Sequence, residues 1–174
     1  MAERKAGSAR QSGAVSLEFV LAFGGLLLPA TLALIFTSQL LWIWHSVNEF
    51  TRMGASYAAT HCWETSAANV IGFMQANVPL MVDRAQFQNG GGTVAIGVSY
   101  FSEDPSSGQL SPFQCDAVCS TTCVPDVVTV SVTGYQYATF FTSLGLPPIT
   151  LPNFQTTQPV ESAGCDPEQG ICIP

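Results

Sequence analysis

The chain has 174 residues, 47% of them hydrophobic and only 10% charged, with a formal net charge of −7. Three of its five basic residues, Arg4, Lys5 and Arg10, precede a long apolar run, and after Met53 there is Arg84 alone against nine acidic residues. Such an acidic remainder excludes nucleic acid as a partner, because phosphate contact needs Lys and Arg that are absent. About thirty residues in the run leave about 125 for one small domain with a modest core.

In chain order, residues 1–13 are polar, basic and rich in Ser, Gly and Ala. They read as an irregular cytoplasmic leader. Residues 14–44 form the apolar run, long enough to cross a bilayer as a helix, with Glu18 as its one charge. The basic leader places the N-terminus in the cytoplasm and the bulk outside, by the positive-inside rule. An ionisable group within a lipid-facing helix costs about 2.5 kcal/mol or more at depth, which marks Glu18 as a functional candidate; near the interface it can instead snorkel. Gly24, Gly25 and Pro29 lie inside the run. Proline removes a backbone donor, so a bend or local melting is expected there. Trp42, Trp44 and His45 mark the outer interface.

Residues 45–174 form the exported domain. Val47, Phe50, Gly54, Tyr57 and His61 recur at helical spacing, so the helix continues to about Ala59. A helix from Ala14 would then be about 69 Å long against a hydrocarbon core of about 30 Å. Ala67, Val70, Ile71, Met74 and Val78 predict a second helix that ends before Pro79, with Thr65 or Ser66 as its cap. Asn89–Gly92 reads as a turn, and Thr93–Phe101 alternates as a half-buried strand. Residues 102–125 read as a long loop that needs a staple. Val127–Phe141 predicts a second strand, whose phase slips at Gly134 and suggests a bulge. Tyr135, Tyr137, Phe140 and Phe141 are either core or an assembly surface. Ile149–Gln158 supplies a third strand, kept to an edge by Pro152. Residues 162–174 read as an irregular tail.

All six cysteines, Cys62, Cys115, Cys119, Cys123, Cys165 and Cys172, fall on the exported side. An even count in an oxidising compartment favours disulfides, with Cys165 and Cys172 able to close a small loop; spacing does not sort the other pairings. Zinc fits less well, since no CxxC exists and the only histidines are His45 and His61. No metal or cofactor site is expected. Catalysis is not expected either: no GxSxG, HExxH, phosphate loop or dinucleotide fingerprint occurs, and the Gly90–Gly92 run lacks the following Lys-Ser/Thr.

Gly13 followed by Ala14, Val15, Ser16, Leu17 and Glu18 resembles the processing site of type IV pilin-like proteins. The continuation through Glu18-Phe19, Leu28-Pro29, Leu41-Trp42, Val47-Asn48 and Arg52-x-Gly54-Ala55-x-Tyr57-Ala58-Ala59 resembles the TadE-like minor pseudopilins of the tight-adherence (Flp) pilus system. The resemblance covers Gly13–Ala59, whereas the Cys115–Cys123 insertion and the cysteine tail lie outside its pattern. It implies an α+β, pilin-like fold: a long N-terminal helix continuing into a small antiparallel sheet domain with disulfide-stapled loops. It implies cleavage between Gly13 and Ala14 by a prepilin peptidase, and pairing of Glu18 with the α-amino group of a neighbouring subunit. The implied partners are other minor pseudopilins, the major pilin, the inner-membrane assembly platform and membrane lipid. The implied location is the bacterial inner membrane, with the C-terminal domain periplasmic or carried into a pilus. A membrane-anchored, exported Cys-rich binding or thiol module is the alternative from another class.

Overall fold

The computed structural model describes residues 9–88, 92–116, 119–137, 145, 147–166 and 168–172, with side chains from Val15 onward. The chain divides into two compact units, one ending at Trp42 and the other running Ile43–Pro174.

The first unit is helical. Helix α1 (Ala9–Ala22) leads into a π-helical segment (Phe23–Leu27), after which α2 (Leu28–Thr60) begins. Helix is already present at Ala9, the first described residue, within the expected leader. Nothing in Ala-Arg-Gln-Ser breaks a helix, and a glycine in a helix interior costs only about 1 kcal/mol. The expected bend or melting before Pro29 takes the form of the π turn. Pro29 has no N–H to offer, and Leu28 N–H donates to Phe23 O, five residues back. Nothing lies within 4 Å of where a Cβ on Gly24 or Gly25 would be, so packing does not demand glycine at either position.

In the second unit the helix runs on to Thr60, as its periodicity predicts. Its buried face is Ile43, Val47, Phe50, Thr51, Gly54, Ala55 and Ala58. Tyr57 and His61 are only half-buried, so the small residues replace them at the centre of the face. This face meets a four-stranded antiparallel sheet of order β2-β1-β3-β6, comprising β1 (Ala95–Glu103), β2 (Leu110–Pro112), β3 (Val127–Thr133) and β6 (Phe154–Pro159). Strand β3 shows why one face of the sheet is dry. Val128, Val130 and Val132 are fully buried, while Thr129, Ser131 and Thr133 alternate with them on the other face. Each such valine contributes roughly 1.5–3 kcal/mol by leaving water. On the outer face Thr129 and Thr157 meet hydroxyl to hydroxyl at 2.9 Å, directly across the β3–β6 register. Strand β6 lies at an edge, but the expected single strand Ile149–Gln158 is divided: Ile149–Thr150 belongs to a separate ladder and Pro152 falls between it and β6.

Several expectations are corrected. Gly134 does not make a bulge. It takes φ +79° with Thr93 O pressed where a Cβ would stand, and the chain leaves the sheet. Tyr135 and Tyr137 continue into the core, and β4 (Gln136–Tyr137) pairs with β5 (Ile149–Thr150) in a separate ladder. The second helix, α3, is shorter (Ala68–Ala76) and neither Thr65 nor Ser66 caps it. Ala67 precedes it in the left-handed region with no side-chain cap, and the carboxylate of Glu64 accepts from Asn69 N–H at 3.3 Å instead. Residues 102–125 are not all loop, because Leu110–Pro112 adds β2 to the sheet. The turn before it is shaped by Asp104, whose carboxylate accepts from Ser106 N–H and the Ser106 and Ser107 hydroxyls. Those donors hold its pKa down at about 2. The tail is a small hairpin, β7 (Cys165–Asp166) against β8 (Ile171–Cys172). A 3-10 turn at Arg84–Phe87 has no counterpart in the sequence reading. The glycine turn at 89–91, Phe140, Phe141, Leu144 and Leu146 lie outside the described residues.

Candidate functional site

The first candidate is the start of the helix. Gly13 and Ala14 lie within α1, inside continuous helix rather than at its edge. Glu18 follows on the same helix, one turn after Ala14, a rise of about 6 Å. It stands among Val15, Leu17, Phe19, Val20 and Leu21, each at least 64% exposed. Among the described residues Glu18 has no ion pair. The apolar exposure continues through Leu26, Leu34 and Ile35 to Trp42, and the most apolar stretch of Val15–Thr60 has no buried residue. By length and composition this helix is long and apolar enough to span a membrane.

The second candidate is the cysteine-rich end of Ile43–Pro174. Disulfides join Cys62 to Cys119, Cys115 to Cys123, and Cys165 to Cys172. No cysteine is left free. The first closes a separation of 57 residues and ties the end of α2 to the Cys-rich insertion. The other two close separations of 8 and 7 residues within single loops. His61 does not activate the neighbouring sulfur, which is buried and bonded to Cys119. Its Nδ1 lies 3.0 Å from Tyr57 O and 3.1 Å from Thr60 Oγ1, and its ring stacks on Tyr57, which stacks on Phe73. Trp63 packs edge-on against Phe113 and Tyr100. The Tyr100 hydroxyl is buried without a hydrogen-bond partner. Burial pushes its pKa up to about 12, and the Glu64 carboxylate adds to the shift. Burial also raises Tyr135, against the opposing hydrogen bond from Asp83 N–H.

Charge is distributed unevenly along this unit. Of the ten acidic side chains after Ile43, eight belong to the end where α2 finishes. Glu64 follows α2 directly; Glu103 and Asp104 close β1, with Asp126 beside them through its bond from Glu103 N–H. Asp116 lies within the Cys115–Cys123 loop, and Glu161, Asp166 and Glu168 follow β6. Both arginines are on the remaining part, where Arg52 pairs with Glu49 at 3.2 Å and Arg84 donates to Ala76 O at the end of α3.

A cavity of about 270 Å³ between α3 and the start of β1 is lined by Ile71, Gln75, Phe87, Val94 and Ile96, with no charged group on its wall. Among the described residues no three His, Cys, Asp or Glu side chains converge as a metal site would require. Sequence reasoning missed Thr51, the one buried polar residue of the α2 face, whose hydroxyl meets Thr156 Oγ1 at 2.9 Å and donates to Asn48 O. It also passed over Leu80 and Met81, which are 102% and 67% exposed on a turn after α3. Their only signal was an apolar pair next to Pro79, which looks the same whether buried or bare. Searches found no family model, curated protein or solved structure that matches the chain.

Proposed function

We propose that this chain is a membrane-anchored structural subunit, a minor pseudopilin that takes part in assembling or initiating a tight-adherence pilus or related secretion filament. In this reading a prepilin peptidase removes the leader between Gly13 and Ala14. Glu18 then pairs with the α-amino group of a neighbouring subunit, and the Ile43–Pro174 unit stands on the periplasmic side of the inner membrane. The other partners are minor pseudopilins, the major pilin and the assembly platform.

The observation that carries the reading is Glu18: one carboxylate, without an ion pair among the described residues, on a helix whose other side chains suit lipid. In a low dielectric such a charge is strongly coupled to any cation that reaches it, and the pair fixes register between subunits more than it adds net stability. The new α-amino group of Ala14 would be that cation, supplied by the cleavage itself. Because Gly13–Ala14 lies in continuous helix, the peptidase must unwind the first turns to reach the bond, and glycine lowers the cost. The pairing of all six cysteines weighs against the rival reading as an exported thiol module, which needs an accessible sulfur.

Mass spectrometry of the membrane-extracted protein tests the proposal. The mature chain is expected to begin at Ala14, and Glu18→Ala is expected to leave cleavage intact while abolishing incorporation into filaments. An uncut chain in cells with an active peptidase, or normal filaments in the mutant, would overturn it.

A further inference from the structure

The contacts along α2 orient the second unit with respect to its own entry point at Ile43. Phe73 stacks on Tyr57, Met74 fills the space beside Gly54, and Phe87 meets Phe50, so α3 and the segment after it run back toward the Ile43 end. The loop that follows α3 therefore lies at that end. It turns at Pro79–Val82, where Val82 N–H donates to Pro79 O, and Asp83 N–H then donates to the Tyr135 hydroxyl. Tyr135 itself follows the end of β3, where Val132 pairs with Phe154 and Phe154 packs edge-on against Trp44.

The end of the domain where the chain enters thus carries Trp44, Leu80, Met81 and Ile149, all exposed, with Leu80 at 102%. The opposite end holds eight of the ten acidic residues and neither arginine. On the Ile43 side the two acids are balanced, since Glu49 pairs with Arg52 and Asp83 stands next to Arg84. A protein of net charge −7 therefore keeps one end free of net charge, and presents bare aliphatic tips there. Apolar tips beside an interfacial tryptophan, at the neutral end of an otherwise acidic domain, suit a lipid headgroup boundary better than water.

We propose that the Pro79–Met81 turn is a second membrane contact, with the Leu80 and Met81 side chains set into a lipid leaflet. The occupant of this surface is lipid. The inference rests on the reading of residues 14–44 as a membrane span.

Photocrosslinking of the full chain in phosphatidylcholine vesicles separates the two. A benzophenone amino acid replaces Leu80, Trp42 or Ile171 one at a time; Leu80 is fully exposed, so the substitution leaves the fold intact, and a probe at Met81 reads the same contact. Lipid adducts are expected at Leu80 and Trp42 and none at Ile171, which is 60% exposed in the cysteine-rich hairpin. Adducts at Trp42 with none at Leu80 or Met81, or adducts at Leu80 that prove to be protein, would overturn the second contact and leave the anchor standing. Absence of lipid at Trp42 would remove both.

Discussion

One helix, α2, carries two kinds of surface. Up to Trp42 its large apolar side chains are exposed, Leu34 at 71% and Trp42 at 61%, whereas from Ile43 onward Val47 and Phe50 are buried to 1% or less. Composition differs too: Leu28–Trp42 has no charged residue, whereas Glu49 and Arg52 stand on the exposed side of the later stretch. On the buried face Thr51, Gly54, Ala55 and Ala58 are small enough for the rest of the second unit to close upon, and among the described residues the large side chains before Ile43 stay exposed. Apolarity alone thus does not distinguish a core face from an exposed one. Charged residues on the opposite side of the helix do: Glu49 and Arg52, with Asn48, mark the water-facing side of the buried stretch and have no charged counterpart between Leu28 and Trp42.

This contrast can be broken by substitution. Phe50→Ala should lower the unfolding free energy of the second unit by about 3–5 kcal/mol, whereas Leu34→Ala should change it by less than about 0.5 kcal/mol. Denaturant melts in detergent, read by near-UV circular dichroism, would show it; equal losses would mean that both stretches are core. Gly54→Val should cost about 1–3 kcal/mol in the same melts, since a Cβ there would stand 2.5 Å from the sulfur of the fully buried Met74. Unchanged stability would show that Met74 gives way and that close approach is not what defines the face.

The smallest effect comes from alkali. All four tyrosines lie after Trp42, so alkaline titration reads the second unit alone. Tyr100 titrates at about 12 in the folded protein and near 10 when unfolded, so its contribution is fully present below pH 10 and is lost as pH rises toward 12. Tyr100→Phe should flatten that decline and, by removing a buried hydroxyl without a partner, raise stability at neutral pH by about 1 kcal/mol. Stability measured against pH for the two proteins decides it, and parallel curves would sink the assignment.

What was legible in the sequence follows the same physics. The long helix and its end near Ala59 could be read because Val47, Phe50 and Gly54 repeat at helical spacing, and β3 because Val128, Val130 and Val132 alternate without interruption. Disruption at Pro29 and at Gly134 was legible as position but not as form. A missing N–H or a flexible φ says that regular structure fails, while its neighbours decide whether the result is a π turn or a departure from the sheet. The partners of Cys62 and Cys115 were beyond reach, since the 57-residue separation of Cys62 and Cys119 is bridged only after α2 and the sheet have packed. Cys165 and Cys172 could be paired because the loop between them is short. The cap of α3 was misjudged because helix ends depend on a few tenths of a kcal/mol per residue, which neighbouring structure readily outweighs.

The π turn at Phe23–Leu27 has a geometric consequence for the carboxylate that precedes it. An α-helix advances about 100° of azimuth per residue, so one residue gained or lost between Glu18 and Leu28 would ordinarily swing the carboxylate more than a quarter-turn round the axis. A π turn takes up about one extra residue in a single wide coil. The segment therefore works as a phase adjuster: it accommodates an additional residue while keeping the bearing of Glu18 close to that of an uninterrupted helix one residue shorter. Deleting Gly24 or Gly25 would convert the wide coil to an ordinary one and leave that bearing nearly unchanged, whereas a deletion between Thr31 and Leu41 would rotate it.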